Sequence, residues 1–237
     1  MIHALTSGMH AQWQRQEILA NNLANASTVG FKQDNLTVKH GTPQAGPGGT
    51  TVLGTHVITQ WTDFSQGGLH QTDRSLDVAL SGPGFFVVQT PAGPRYTRAG
   101  AFSVNAQGTL VSAGGFPVLG QGGSITVRSP KVTFGPQGEV QDNGQTVDTL
   151  RVVDFPKPYA LVKEGRGLFA PADPKVQPEA AKDYQVVGGA LEESNVNAVR
   201  TMVDMIDMLR KYEAAHRAIQ AHDEAARYPS NDMGRLQ

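Results

Sequence analysis

Four side chains near the C-terminus, His216, His222, Asp223 and Glu224, are of the types that ligate a metal. On a helix, residues six apart project to well-separated faces, so His216 and His222 cannot share one ion. His216 reads instead as a half-buried stripe residue and His222 as solvated. His70, Asp73 and Asp77 fall together near a turn and have the types needed for acid–base work. Short carboxylates where loops meet strands usually cap backbone amides, and Asp73 and Asp77 are read that way. Met202, Met205 and Met208 could form a soft-metal site, but their helical spacing suits an adaptable packing surface better. Trp61, Phe64 and Tyr96 could offer a platform to sugar rings in a secreted glycan-binding β domain with helical dimerisation arms. Glycan sites usually combine such aromatics with paired carboxylates, and no convincing pair is present. No G-x-S-x-G, HExxH or glycine fingerprint followed by a helix occurs, and the loop GTPQAGPGGT at 41–50 lacks the Lys-Ser/Thr ending of a phosphate loop. That loop reads as a flexible, solvated excursion. The expectation is a protein without enzymatic activity, cofactor or metal.

Composition narrows the classes further. Acids and bases are interspersed around a formal net charge of −1, which argues against nucleic acid as a partner, because phosphate neutralisation needs a clustered basic surface. The chain has no cysteine. Disulfides, thiolate catalysis and Cys-type zinc sites are therefore excluded, and an oxidising compartment is tolerated. No apolar run approaches the ~20 residues of a membrane-spanning helix, so no membrane insertion is expected. MIHALTSGMH lacks the basic start and continuous apolar core of a conventional secretory signal. At 237 residues the chain has room for one large domain or two to three small ones.

What remains to carry function is pattern. Met202, Met205, Leu209, Tyr212, His216, Ile219, Asp223 and Ala226 recur at alternating three- and four-residue steps, and Val199, Val203 and Ile206 widen the stripe. This predicts a helix that lays one face on another helix, N-capped by Ser194 or Asn195 and stopped by Pro229. Glu213 with Arg210 and Arg217 makes ordinary intrahelical ion pairs. The N-terminus carries a matching stripe of Ile2, Leu5, Met9, Gln12, Gln16, Leu19 and Leu23, with Trp13 and Ile18 beside it. Two helices alone cannot cover such stripes, and the shortage points to self-assembly.

Between the helices the chain reads as β structure. NNLANASTVGFK at 21–32 holds helix-ending asparagines and a glycine. Residues 33–75 alternate weakly (Leu36, Val38; Val52, Leu53; Val57, Ile58). From Leu76, runs such as LDVAL, GFFVVQT, KVTFG and QTVDTLRVVDF are separated by turn pairs, of which Asn143-Gly144 is the signature of a type I′ hairpin. Phe102, Val104, Gly108, Leu110 and Gly114 align with Val132, Phe134, Gly138, Val140 and Gly144, which predicts two similar hairpins. The fold class expected is α+β and discontinuous. N- and C-terminal helices (1–30 and 190–237) would form a coiled-coil-like stalk. Connectors with short β (31–75 and 165–189) would lead to a mainly antiparallel outer β domain at 76–164.

Three stretches also carry a resemblance. LANNLANASTVGFK at 19–32 looks like the ANNLAN-x-x-T-x-GF[KR] element of the bacterial flagellar basal-body rod proteins, with Val29 where relatives usually have Thr or Pro. QGGLHQTDRSLDVALSGPGFFVV, YTRAGAF, GTLV and VLG match that family's middle, and ALEESNVNAV, MVDMI, RKYEAAHRAIQ and DE match its C-terminal element, all in the family's order. Asn21, Asn22, Leu23, Asn25, Gly30, Phe31, Ser194, Asn195 and Val196 are the motif positions. Within the family, SNVNAV and the final NDMGRL look more like the proximal rod subunit, while IQAHDE is shared with the distal one. The resemblance implies helical polymerisation with copies of itself and with other flagellar axial proteins into a torque-transmitting shaft in the periplasm. It also implies export through the flagellar type III apparatus without a cleaved signal. Ile2, Leu5, Met9, Leu19, Leu23, Val199, Met202, Val203, Ile206, Leu209, Tyr212 and Ile219 would be the assembly stripe.

Overall fold

The computed structural model describes the backbone of residues 2–40, 44–45, 51–52, 56–129 and 131–232, with side-chain surroundings for 12–37, 59–129, 131–214, 216–217 and 220. Two helices and a set of antiparallel strands make an α+β fold. The chain divides into two compact units, one comprising 1–24, 34–62 and 197–237, the other 25–33 and 63–196.

The first unit contains α1 (Ile2–Ala24), α2 (Ala198–Asp232) and a hairpin of Asp34–His40 with His56–Thr62, in register from Asp34↔Thr62 to His40↔His56. The weak alternation at 33–62 was the trace of this hairpin. Helix α1 packs against α2 and against both hairpin strands. The Asn22 side chain donates to the Asp34 carbonyl (2.7 Å) and accepts from the Asp34 amide (2.9 Å), so a buried carboxamide pairs with one backbone residue as a neighbouring strand would. Thr62 adds a hydroxyl bond to the Asp34 carboxylate at 2.7 Å. Gln44–Ala45 of the 41–50 loop pairs with Thr51–Val52 just after it, and the remainder of that loop lies outside the described residues.

Two expectations about α2 are corrected. The N-cap is Asn197, whose carboxamide oxygen accepts the Arg200 amide at 2.9 Å. Ser194 instead accepts the Val196 amide in a local turn, and Asn195 is committed elsewhere. Pro229 does not end the helix, which runs on to Asp232. One proline in the last turn removes a single intrahelical donor, and this helix tolerates that loss.

The second unit is built from strands. A six-stranded antiparallel sheet runs in the order Leu161–Gly165, Leu168–Pro171, Gly93–Thr97, Phe85–Thr90, Val152–Asp154, Glu179–Ala180. Its central strand explains the apolar run FFVV. Phe86 and Val88 join a core with Val78, Phe102, Leu110 and Val140, whereas Phe85 and Val87 face a second core with Tyr96, Phe155 and Phe169. A strand covered on both faces reads as a continuous run rather than an alternation. Val132–Phe134, Glu139–Asp142 and Gln145–Thr149 form a three-stranded sheet. Its second turn is Asn143-Gly144 at φ 54° and 80°, the left-handed pair that a type I′ turn demands.

The internal repeat is real at the level of turns. The Asn105 amide donates to the Thr109 carbonyl at 3.0 Å and the Gly108 amide to the Asn105 carbonyl at 3.0 Å. Thirty residues on, Gly135 donates to Glu139 at 2.8 Å and Gly138 to Gly135 at 2.9 Å, the same closure at the same spacing. By contrast FPVLG at 116–120 and SITV at 124–127 form isolated bridges, among them Val88 with Val118 and Leu119 with Ser124, rather than strands.

Candidate functional site

Among the described residues, the candidate acid–base and metal-ligating side chains are not brought together into one constellation. Asp77 is buried and accepts the Thr72 hydroxyl at 2.7 Å, with Arg74 3.7 Å away, so it bonds side chains where capping of a backbone amide was expected. Asp73 sits at φ 58°, and His70 is exposed on the strand Leu69–Gln71. His216 lies one turn from Tyr212, its ring parallel to the phenol, and bonds Gln220 at 3.2 Å; the side chains of His222, Asp223 and Glu224 lie outside the described residues. Among the described residues no group of three metal-ligating side chains is brought together. Two of the three aromatics considered for sugar stacking serve the second core: Phe64 packs edge-on against Phe85, Tyr159 and Phe169, and Tyr96 against Phe155 at 4.7 Å. Trp61 alone is exposed, its indole donating to Thr37 at 3.2 Å.

Two other features stand out. The first is on α2. Thr201 and Met208 are buried and Met205 half-buried, at the four- and three-residue steps of one helix face. Val199, Met202, Val203, Ile206 and Leu209 form a second apolar arc, and with Tyr212, one turn beyond Met208 on the first face, they are 40–74 % exposed. Of the other stripe residues, Leu19 and Leu23 are half-buried on α1. The side chains of Ile2, Leu5, Met9 and Ile219 lie outside the described residues. Six large apolar side chains on one helix left facing water is unusual, since each would gain ~1.5–3 kcal/mol from full burial.

The second feature lies in the strand-built unit, where the motif segments converge. Lys32 and Glu192 have no exposed side-chain area, and the ammonium meets the carboxylate at 2.5 Å. Glu192 also binds the Arg98 guanidinium at 3.2 Å and the Gly67 amide at 3.1 Å. Lys32 donates further to the Ser65 carbonyl (2.6 Å), and Arg98 to the Gly82 carbonyl (2.9 Å) while lying 5.3 Å over the Phe85 ring. Burial pushes the Lys32 ammonium below its ordinary value, and the Glu192 charge opposes that shift. Asn195 completes the junction by accepting the Gln33 amide (2.7 Å) and donating to the Asp63 carbonyl (2.9 Å). The glycines of the motifs are where backbones meet. Gly30 holds φ 66°, and a Cβ there would stand 2.5 Å from the Ala99 amide nitrogen; at Gly67 one would collide with the Glu193 carbonyl.

Neither Lys32, Arg98 nor Glu192 was picked out from sequence. Their neighbours in sequence, Gln33 and Asp34 after Lys32, Arg95 before Arg98 and Glu193 beside Glu192, give no local sign that these three charges are the buried ones.

The same three segments are where known families match. The flagella basal body rod protein family matches residues 2–32, the flagellar hook protein FlgE/F/G D1 domain residues 79–142, and the flagellar basal body rod FlgEFG protein C-terminal family residues 187–233. The flagellar basal-body rod protein FlgF of Caulobacter vibrioides is 33 % identical over 250 residues, covering 100 % of both chains. The chain belongs to the flagellar basal-body rod protein family. FlgF of Salmonella typhimurium is 35 % identical with 94 % of this chain and 95 % of its own covered, and FlgG of Bacillus subtilis is 30 % identical with 92 % and 93 % covered. This is a structural family, not an enzymatic one, and the chain is a structural subunit of the flagellar basal-body rod. No helix among the described residues of this rod protein is long and apolar enough to cross a membrane.

Proposed function

We propose that this rod subunit polymerises helically through its terminal helices, whose apolar faces associate in a coiled-coil-like stalk with those of copies and of other axial subunits. The resulting shaft transmits torque. The observation that carries this reading is the exposed arc Val199, Met202, Val203, Ile206 and Leu209 on α2, with the exposed Tyr212 beside it, apolar area that the chain itself leaves uncovered. Ile2, Leu5, Met9, Leu19, Leu23 and Ile219 belong to the same proposed interface. The motif residues Asn22, Gly30 and Asn195 act by fixing backbone around the ends of the helices. SNVNAV and NDMGRL favour the proximal position in the rod; the comparable likeness to FlgG proteins keeps the distal position as the second reading. Residence in the periplasm and type III export without a cleaved signal belong to the same proposal.

Leu209→Asp is the direct test, because a carboxylate sealed into an apolar interface costs several kcal/mol. The variant is expected to be exported and to be missing from purified basal bodies. Its presence at the normal amount in assembled rods would defeat the interface reading. Labelled-subunit microscopy of basal bodies separates proximal from distal.

A further inference from the structure

We propose that Lys32, Arg98 and Glu192 form a clasp that makes the docking of the two end segments of the strand-built unit all-or-none, so that neither segment comes loose alone. Residues 25–33 carry Lys32 and residues 190–196 carry Glu192, and 160 positions separate the two charges along the chain.

The charge arrangement leaves no stable half-docked state. Were residues 190–196 to lift away, the Lys32 ammonium and the Arg98 guanidinium would be left as like charges without the Glu192 carboxylate between them. Were residues 25–33 to lift away, Glu192 would lose its shorter ion pair and keep only Arg98 and the Gly67 amide. Removing one member of a buried ion pair is far more damaging than never having built it.

The backbone is interleaved in the same sense. The Gly30 amide donates to the Glu192 carbonyl at 2.7 Å, and the Asn195 amide donates to the Phe31 carbonyl at 3.3 Å. Both segments also hold Ser65: Lys32 bonds its carbonyl, and the Asn195 carboxamide bonds the same carbonyl at 3.3 Å and the hydroxyl at 3.1 Å. Opening one segment therefore strips partners from the other. Coupling of this kind is reciprocal by thermodynamic necessity. A rod protein pulled at either flank would then yield at both docking segments or at neither.

Native-state hydrogen exchange on the full chain tests this. Glu192→Gln keeps the shape and removes the charge. It is expected to lower protection of the Gly30 and Phe31 amides, distant in sequence, by about a hundredfold, together with those of Glu193 and Asn195. Lys32→Met is expected to do the reverse, exposing Glu193 and Asn195 along with Gly30 and Phe31. Val140→Ala, a core truncation in the three-stranded sheet, serves as the control and is expected to leave these four amides moving no more than the rest of the unit. Loss of protection confined to the segment that carries the substitution overturns the clasp. Should either charge variant fail to fold, the triple variant Lys32→Met/Arg98→Met/Glu192→Met removes all three charges at similar volume. The clasp predicts that the triple variant folds and that the rates of its two segments, still joined by the Gly30 and Asn195 backbone bonds, are less closely matched than in the parent chain. Rates matched as closely as in the parent overturn it.

Discussion

The strand-built unit and helix α2 treat apolar side chains in opposite ways. In the first, Phe85, Phe86, Val87 and Val88 are all at most 2 % exposed, two facing each core, and even the charges are sealed in mutual contact. On α2, six large apolar residues are left in water while the polar surface is served by pairs such as Lys211–Asp207 at 2.7 Å. The first region buries its central strand on both faces and leaves only scattered apolar side chains such as Leu69, Val147 and Val162 at its surface. The other holds burial in reserve, which is what an assembling subunit requires.

The contrast sets the order of expected effects. Phe86→Ala deletes a ring packed edge-on against Phe102 at 5.3 Å and is expected to cost about 3–5 kcal/mol in denaturant unfolding of the full chain. A loss under about 1 kcal/mol would mean the core is less complete than its burial indicates. Met208→Ala and Met202→Ala sharpen the comparison inside one helix. The buried Met208 is expected to cost about 2 kcal/mol or more, the exposed Met202 no more than about 0.5 kcal/mol in the isolated chain. Similar losses at both sites would show that the arc is already covered.

Asn197→Ala should cost about 1 kcal/mol of helix stability, read by the helical circular dichroism signal. Ser194→Ala should have less effect on that signal, because Ser194 only closes a local turn. The smallest effect is a titration. Burial, with the hydrogen bond to Asp154 (2.9 Å) and its charge behind it, raises the Tyr159 phenol from 10.0 to about 12. Its folded value lies above its unfolded one, so its contribution to stability is intact below pH 10 and is lost as pH rises through about 12. Asp154→Asn is expected to shift the phenolate absorbance transition downward while leaving the α2 arc unaffected. An unmoved transition would remove Asp154 from the account.

How much of this could be read from the chain depended on how local the cause was. The Asn143-Gly144 turn and the paired turns at Gly108 and Gly138 are written in short-range pattern and emerged as expected, and the apolar spacing near 199–212 did mark a helix. The stripe nevertheless blurred two faces, since the three- and four-residue steps linking Met202 to Met205 and Leu209 do not say which face a neighbour covers. The cap moved from Ser194 or Asn195 to Asn197 because several short polar residues in a row compete for one role, and Asn195 is drawn into tertiary bonds. The clasp was invisible for a different reason. Its charges lie 66 to 160 positions from the first of them, and no periodicity connects residues that meet only when the fold closes.

Because the chain has no cysteine, Val203→Cys supplies a single reporter in the α2 arc. Its maleimide reactivity, measured in the isolated chain and again in purified basal bodies, asks most directly whether this face is covered on assembly. Rapid labelling of the isolated chain and protection in the rod is the predicted result. Equal labelling in both, with the variant incorporated normally, would contradict it.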